Sequence, residues 1–189
     1  MGYILRRIFR AIYEMIEMFV ISASIFVVIY LFLAQPHQVK GNSMYPTFHD
    51  KEYVLTDKVT FKRRLPVYGD VIVFKSPVNE SFDFIKRVIG EAGDTVMIEG
   101  GRMYRNGQIL NEFYLPEEYT TSAGQFLRES VPFTVPAGTI FAVGDNRDHS
   151  SDSREWGPVP LENIVGKTFI RYWPIDAFEV IKSPVGDQI

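Results

Sequence analysis

The chain has 189 residues, a length that suggests one folded domain with at most an appendage. Its formal net charge is -3, and its 20 Lys and Arg are spread along the chain, which argues against a basic stripe for nucleic acid. Cysteine is absent, which excludes disulfides, thiolate metal sites and a cysteine nucleophile.

The first predicted element is apolar. No Asp, Glu, Lys or Arg occurs between Met18 and Val39, and Phe19 to Ala34 forms its heart. A bilayer-crossing helix needs about 20 mostly apolar residues. Met15, Ile16 and Met18 extend the run past Glu17, and Pro36 marks its expected end. Arg6, Arg7 and Arg10 precede the run, whereas only Lys40 and Lys51 follow at comparable distance. Basic residues flanking a span stay cytoplasmic, so the N-terminus is expected inside and the bulk of the chain outside. The expected division is a cytoplasmic segment 1–17, a transmembrane anchor 18–36 and an extracytoplasmic domain 37–189. A cleavable leader fits less well, because the large Phe32 stands where a small residue is needed before the cut. A buried core helix would show a polar face, and the run has none. Arg6 to Glu17 has some character of an interfacial helix.

Beyond Pro36 the pattern changes to short apolar runs separated by turn residues. Expected strands are Tyr53–Val59, Asp70–Phe74, Phe82–Ile89, Thr95–Ile98, Arg102–Tyr104, Pro132–Val135, Thr139–Val143 and Lys167–Tyr172. Gly100-Gly101 and Asn106-Gly107 are hairpin signals. No long stretch has a helical period, and residues 111–130 read as a long loop. The expected fold class is mostly β, an antiparallel sheet domain behind an N-terminal transmembrane helix.

Three segments offer chemistry. In Gly41-Asn-Ser-Met-Tyr-Pro46, Ser43 follows a flexible pair and suits an exposed turn, although a plain linking loop has the same composition. In Phe82-Asp-Phe-Ile-Lys-Arg-Val-Ile-Gly90, alternation puts Lys86 on one face with Phe82, Phe84 and Val88. Apolar surroundings lower a lysine pKa, and a neutral lysine can take a proton from a serine. A lysine that snorkels to water is the competing reading, and Lys75 shares the face of Val71 and Val73 in the same way. Gly144 to Arg154 is a loop of mixed charge, in which pairs among Asp145, Arg147, Asp152 and Arg154 are expected to be structural. Its spacing does not fit a calcium loop. A Ser-His-Asp triad would have to draw on His37, His49 or His149.

Four segments together resemble the bacterial type I signal peptidases: Ser43-Met-Tyr-Pro-Thr47, Gly69-Asp-Val-Ile-Val-Phe74, Lys86-Arg-Val-Ile-Gly90, and Gly144 to Arg154 continued by Trp156-Gly157. Their order agrees with the family, and the first lies just after an anchor. The resemblance implies a largely antiparallel β fold of the compact, single-domain kind. It also implies a serine endopeptidase at the outer surface of the cytoplasmic membrane, removing signal peptides of the Ala-x-Ala type from exported preproteins. By the same resemblance Ser43 is the nucleophile, Lys86 the base and Ser150 the serine that positions the lysine. Asp152 and Arg154 brace their loop, and Met44 lines the substrate cleft. No metal or cofactor is implied; the expected partners are preproteins and membrane lipid, with no nucleic acid, and the expected state is a monomer. One departure stands out: the hydroxyl that some members carry two residues before the nucleophile is missing, because that position is Gly41. Two rival functions remain at this point, a self-cleaving serine–lysine protease and a membrane-tethered peptide-binding β domain without activity.

Overall fold

The computed structural model describes residues 2–79 and 81–183, so Met1 and the last six residues of the expected outer domain, 184–189, lie outside the described residues. Helix α1 runs unbroken over Gly2–Phe32, about 46 Å at 1.5 Å per residue. It joins the Arg-bearing start and the apolar run into one element. Its large apolar side chains, Phe19 and Phe26 among them, are exposed rather than packed on the domain. Its second half, from Met18 on, carries no charged residue and is uncovered by protein, which fits a membrane anchor.

The helix stops earlier than Pro36 suggested. Leu33 N–H closes onto Ile29 O, and the chain turns at once into strand β1 (Ala34–Gln38), with Pro36 at its centre. β1 is an edge strand, the position in a sheet where a residue without an N–H is tolerated. In chain order there follow β2 (Tyr53–Asp57), the short α2 (Thr60–Arg63), β3 (Val71–Lys75), β4 (Asp83–Gly90), β5 (Thr95–Glu99), β6 (Arg102–Arg105) and β7 (Gln108–Ile109). Then come β8 (Phe133–Thr134), β9 (Thr139–Val143), α3 (Ser153–Trp156), β10 (Val159–Pro160), β11 (Ile164–Trp173) and β12 (Glu179–Val180).

The main sheet has the order β1-β2-β11-β3-β4-β9-β10, with β12 added to β11, and its pairings are antiparallel. A second sheet, β7-β6-β5-β8, is built on hairpins. Gly100-Gly101 and Asn106-Gly107 all have positive φ, as the tight turns between its strands require. The fold is thus the expected antiparallel β class. All eight expected strands occur, within a few residues at their ends. The additional strands β1, β7, β10 and β12 are too short or too proline-bearing to announce themselves by alternation.

Val71 to Phe74 is an apolar run because β3 is buried on both sides. Val71 joins Val39, Met44, Phe48 and Val54 on one face, while Ile72 and Phe74 join Val88, Ile140 and Val159 on the other. A large side chain buried in this way contributes roughly 1.5–3 kcal/mol. This central slab holds β4, and β4 carries the lysine.

Candidate active site

Only the second half of β4 pairs with β9. Asp83 to Arg87 bond to β3, but pairing with β9 begins at Arg87 opposite Val143. The outer edge of β1 is also unpaired, because β1 ends the sheet. Between these two free edges lies a cleft of about 540 Å³, with Pro36, His37 and Val39 on one wall, Phe84 and Ile85 on the other, and Ser43 and Lys86 along it.

The residues Gly41 to Thr47 form a turn after β1, and this turn is fastened at several points. Gly41 N–H donates to Asp50 Oδ1 at 2.8 Å, Phe48 N–H to Met44 O at 2.9 Å, and Asn146 N–H to Ser43 O at 3.1 Å. Asn146 Nδ2 also donates to Asn42 O at 2.9 Å. These bonds hold the Ser43 side chain toward β4, where Lys86 Nζ donates to Ser43 Oγ at 2.6 Å. Among the described residues, no histidine bonds the Ser43 hydroxyl, which leaves the triad reading without a base.

Lys86 is buried, and burial lowers its pKa from 10.5 to about 8. The negative charges of Asp152 and Asp145 push the value back up, and Arg154 pushes it down. Lys75, which shared the same alternation in sequence, is exposed at the end of β3.

The two nearby carboxylates are occupied by arginines. Asp145 accepts from Arg87 Nε at 2.9 Å and Nη2 at 2.6 Å, and from Thr47 Oγ1 at 2.5 Å. One carboxylate therefore ties the lysine strand, the serine turn and the 144–154 loop together. Burial works against the charge on Arg87, but Asp145 outweighs it and raises its pKa. The Arg87 guanidinium also lies 3.8 Å from the centre of the Tyr114 ring. Asp152 caps α3 and accepts from Arg154 Nε and Nη2, each at 2.9 Å, and from Gly144 N–H at 3.0 Å. Burial raises the Asp152 pKa, yet the hydrogen bonds and charge of Arg154 prevail and hold it below its ordinary value. Arg147 reaches the other way, to Gly144 O, Thr121 Oγ1 and the Glu112 carboxylate.

Two expected residues sit differently from their sequence reading. Met44 is fully buried and lines no part of the cleft; it packs behind Val39, Val54 and Ile85, which do. The turn directs neighbouring side chains apart, so Ser43 faces the cleft and Met44 the core. Ser150 Oγ is buried near the Asp152 carboxylate, where it helps to hold that group's pKa down, and does not bond Lys86 in this arrangement. Thr47 and Glu112 gave no chemical signal in sequence. Arg87 did, because alternation places it on the face opposite Lys86. Among the described residues, no group of His, Asp and Glu has the geometry to hold a metal.

Residues 12–173 match the family described as signal peptidase, peptidase S26. The chain belongs to that family. It is 36% identical over 164 residues to signal peptidase I of Leptolyngbya laminosa, a match covering 81% of this chain and 75% of that protein. It is also 36% identical over 152 residues to thylakoidal processing peptidase 1, chloroplastic, of Arabidopsis thaliana, covering 75% of this chain but 43% of that relative. The chain therefore spans less than half the length of the thylakoidal relative and three quarters of the Leptolyngbya one. A solved signal peptidase I from Enterococcus faecalis aligns with TM-score 0.47 and 31% identity, over 55% of this chain and 97% of that one. The family found is the one that the four sequence segments resembled.

Proposed function

We propose that the chain is a membrane-anchored serine endopeptidase that removes N-terminal signal peptides from exported preproteins, with Ser43 as nucleophile and Lys86 as general base. The observation that carries this reading is the 2.6 Å approach of a buried, pKa-lowered Lys86 to Ser43 Oγ. With Lys86 neutral, its lone pair accepts the Ser43 proton as Oγ attacks the carbonyl carbon at the cut. The C–N bond breaks, Lys86 returns the proton to the leaving amine, and the signal peptide remains as an ester on Ser43. Water, deprotonated by Lys86, then hydrolyses the ester and frees the hydroxyl.

The substrate enters as an extended strand between the free edges of β1 and β4, by β-augmentation. Small side chains at the first and third positions before the cut suit the shallow walls. The Ser43 N–H supplies one donor to the oxyanion, and Gly41 offers no hydroxyl as a second. Ser150, its buried hydroxyl near the Asp152 carboxylate, is assigned the positioning of Lys86. Asp145, Arg147, Asp152 and Arg154 brace the loop behind the base. Residues 18–32 act as the single-pass anchor in the cytoplasmic membrane, with the Arg-bearing start of α1 inside and the sheet domain, from β1 onward, outside as the catalytic domain. The enzyme works as a monomer, and the mechanism calls for no metal or cofactor.

The test is purified chain in detergent with a preprotein ending its signal in Ala-x-Ala, beside Ser43→Ala and Lys86→Ala. Cleavage after the final Ala by the unmodified chain alone is expected. Near-normal cleavage by Lys86→Ala would remove the dyad. Folded chain that neither cuts nor acylates at Ser43 would leave a peptide-binding domain.

A further inference from the structure

We propose that the groove between the end of α1 and the α2 segment binds one anionic phospholipid, with Lys58 and Lys62 holding its phosphate. The inference rests on the reading of α1 as a membrane anchor. The groove holds about 340 Å³ and shares no lining residue with the cleft of Ser43 and Lys86. Leu31 and Phe32, the last two residues of α1, line it together with Phe61, Leu65 and Leu161. Lys58 and Lys62 enter it, and among the described residues no carboxylate does. Its level is set by bonds to the anchor. Lys58 N–H donates to Leu33 O at 2.9 Å and Lys58 Nζ to Leu31 O at 3.4 Å. The segment that carries the lysines is thereby latched to the end of the span, where hydrocarbon gives way to headgroups.

The positive charge is available. Lys58, Lys62 and Arg63 form no ion pair among the described residues, whereas Arg64 is engaged by Asp70. Asp57, next to Lys58, accepts from Val59 N–H at 2.6 Å and Thr60 N–H at 3.3 Å. Glu162, beside Leu161, is exposed and does not line the groove. Lys58 gives one of its three N–H groups to Leu31 O, which belongs to the negative end of the helix dipole, so the ammonium also screens that end from an arriving anion. Cations backed by apolar walls suit a ligand that is itself amphiphilic. The phosphate meets the two ammonium groups and the glycerol meets Leu31, Phe61 and Leu65. The acyl chains continue along Val27 and Val28, which are exposed one turn before Leu31 and Phe32 on the same side of α1. A free phosphate makes no use of the apolar walls, and a choline headgroup brings a like charge to the lysines.

The test is native mass spectrometry of the full chain in neutral detergent, comparing phosphatidylglycerol with phosphatidylcholine retained from an equal mixture. The unmodified chain should prefer phosphatidylglycerol by at least about tenfold, taking roughly fivefold for each lysine near an anionic headgroup. Lys58→Glu with Lys62→Glu should bring the preference below about threefold, the remainder belonging to Arg6, Arg7 and Arg10 at the other end of α1. Lys75→Glu with Arg128→Glu makes the same charge change at exposed positions and should leave the preference intact. If the charge reversal unfolds the chain, Lys58→Gln with Lys62→Gln should move the ratio in the same direction. An unchanged ratio in the groove variants, or an equal loss in the Lys75 and Arg128 pair, overturns the site. Glycerol 3-phosphate carries the charge without the chains and should not displace the lipid; displacement would make the groove a plain anion site and overturn the proposal. Flotation on phosphatidylcholine vesicles reports the anchor separately. A chain that stays in solution there counts against the membrane reading, and neither measurement depends on cleavage of a preprotein.

Discussion

The two faces of β4 bury neighbouring cations in opposite ways. Lys86 and Arg87 are each 3% exposed. Arg87 meets Asp145 in a two-pronged ion pair, and its charge is secured. Lys86 meets a serine hydroxyl, and burial pulls its pKa down to about 8. Both carboxylates that act on the lysine, Asp152 and Asp145, already have an arginine. The difference teaches that a buried lysine is readied for the proposed role of base when the surrounding carboxylates are engaged elsewhere, and that the arginines are part of how its pKa stays low.

The strongest way to break this comparison is Lys86→Met. Activity should fall at least about 10³-fold, since the dyad is a unit. Stability should rise by about 1–3 kcal/mol at pH 7. The folded pKa of Lys86 lies below its unfolded value, so the unfolded chain holds the proton more tightly; the cost, roughly 3 kcal/mol by the conversion of the shift, is full below pH 8 and fades toward pH 10.5. Urea titrations at pH 7 and pH 10 check the sign, and an equal gain at both would contradict it. On the other face, Asp145→Ala leaves Arg87 charged, buried and unpaired, and should cost about 3–5 kcal/mol in the same titration. Arg154→Gln sharpens the comparison. It frees the Asp152 carboxylate to act on Lys86, so the alkaline-favoured limb of the kcat/KM profile should move up by about one unit. Activity at pH 7 then falls about tenfold and recovers above pH 9. The smallest effect belongs to Lys75→Ala: this exposed lysine should change kcat/KM by less than about twofold.

Much of this was legible in the chain itself. Alternation set Lys86 and Arg87 on opposite faces, and the paired signs in Gly144 to Arg154 announced a self-braced loop. The apolar run before Ala34 read as a long helix, but Pro36 placed its end too late, because an edge strand accepts proline as readily as a helix end does. Met44 was read toward the cleft because adjacency to Ser43 says nothing about which way a turn sends each side chain. Glu112 was invisible: its partner Arg147 is 35 residues away, in a stretch without periodicity. The 3.6 Å approach of His37 Nε2 on β1 to Asp83 Oδ2 on β4 depends on how far the sheet curls, a property of five strands together and not of either segment.

Gly144 sits where the serine turn and the charged loop touch. A Cβ there would lie 2.1 Å from Ser150 Oγ and 2.4 Å from Ser43 O. Even alanine would act as a wedge, driving the Ser43 backbone away from the loop that backs Lys86. The spacing of Ser43 and Lys86 is therefore gauged by a missing atom. A mutational screen that scores only charged and hydroxyl-bearing residues would pass over it, yet here the tolerance for added bulk is smaller than a single methyl group.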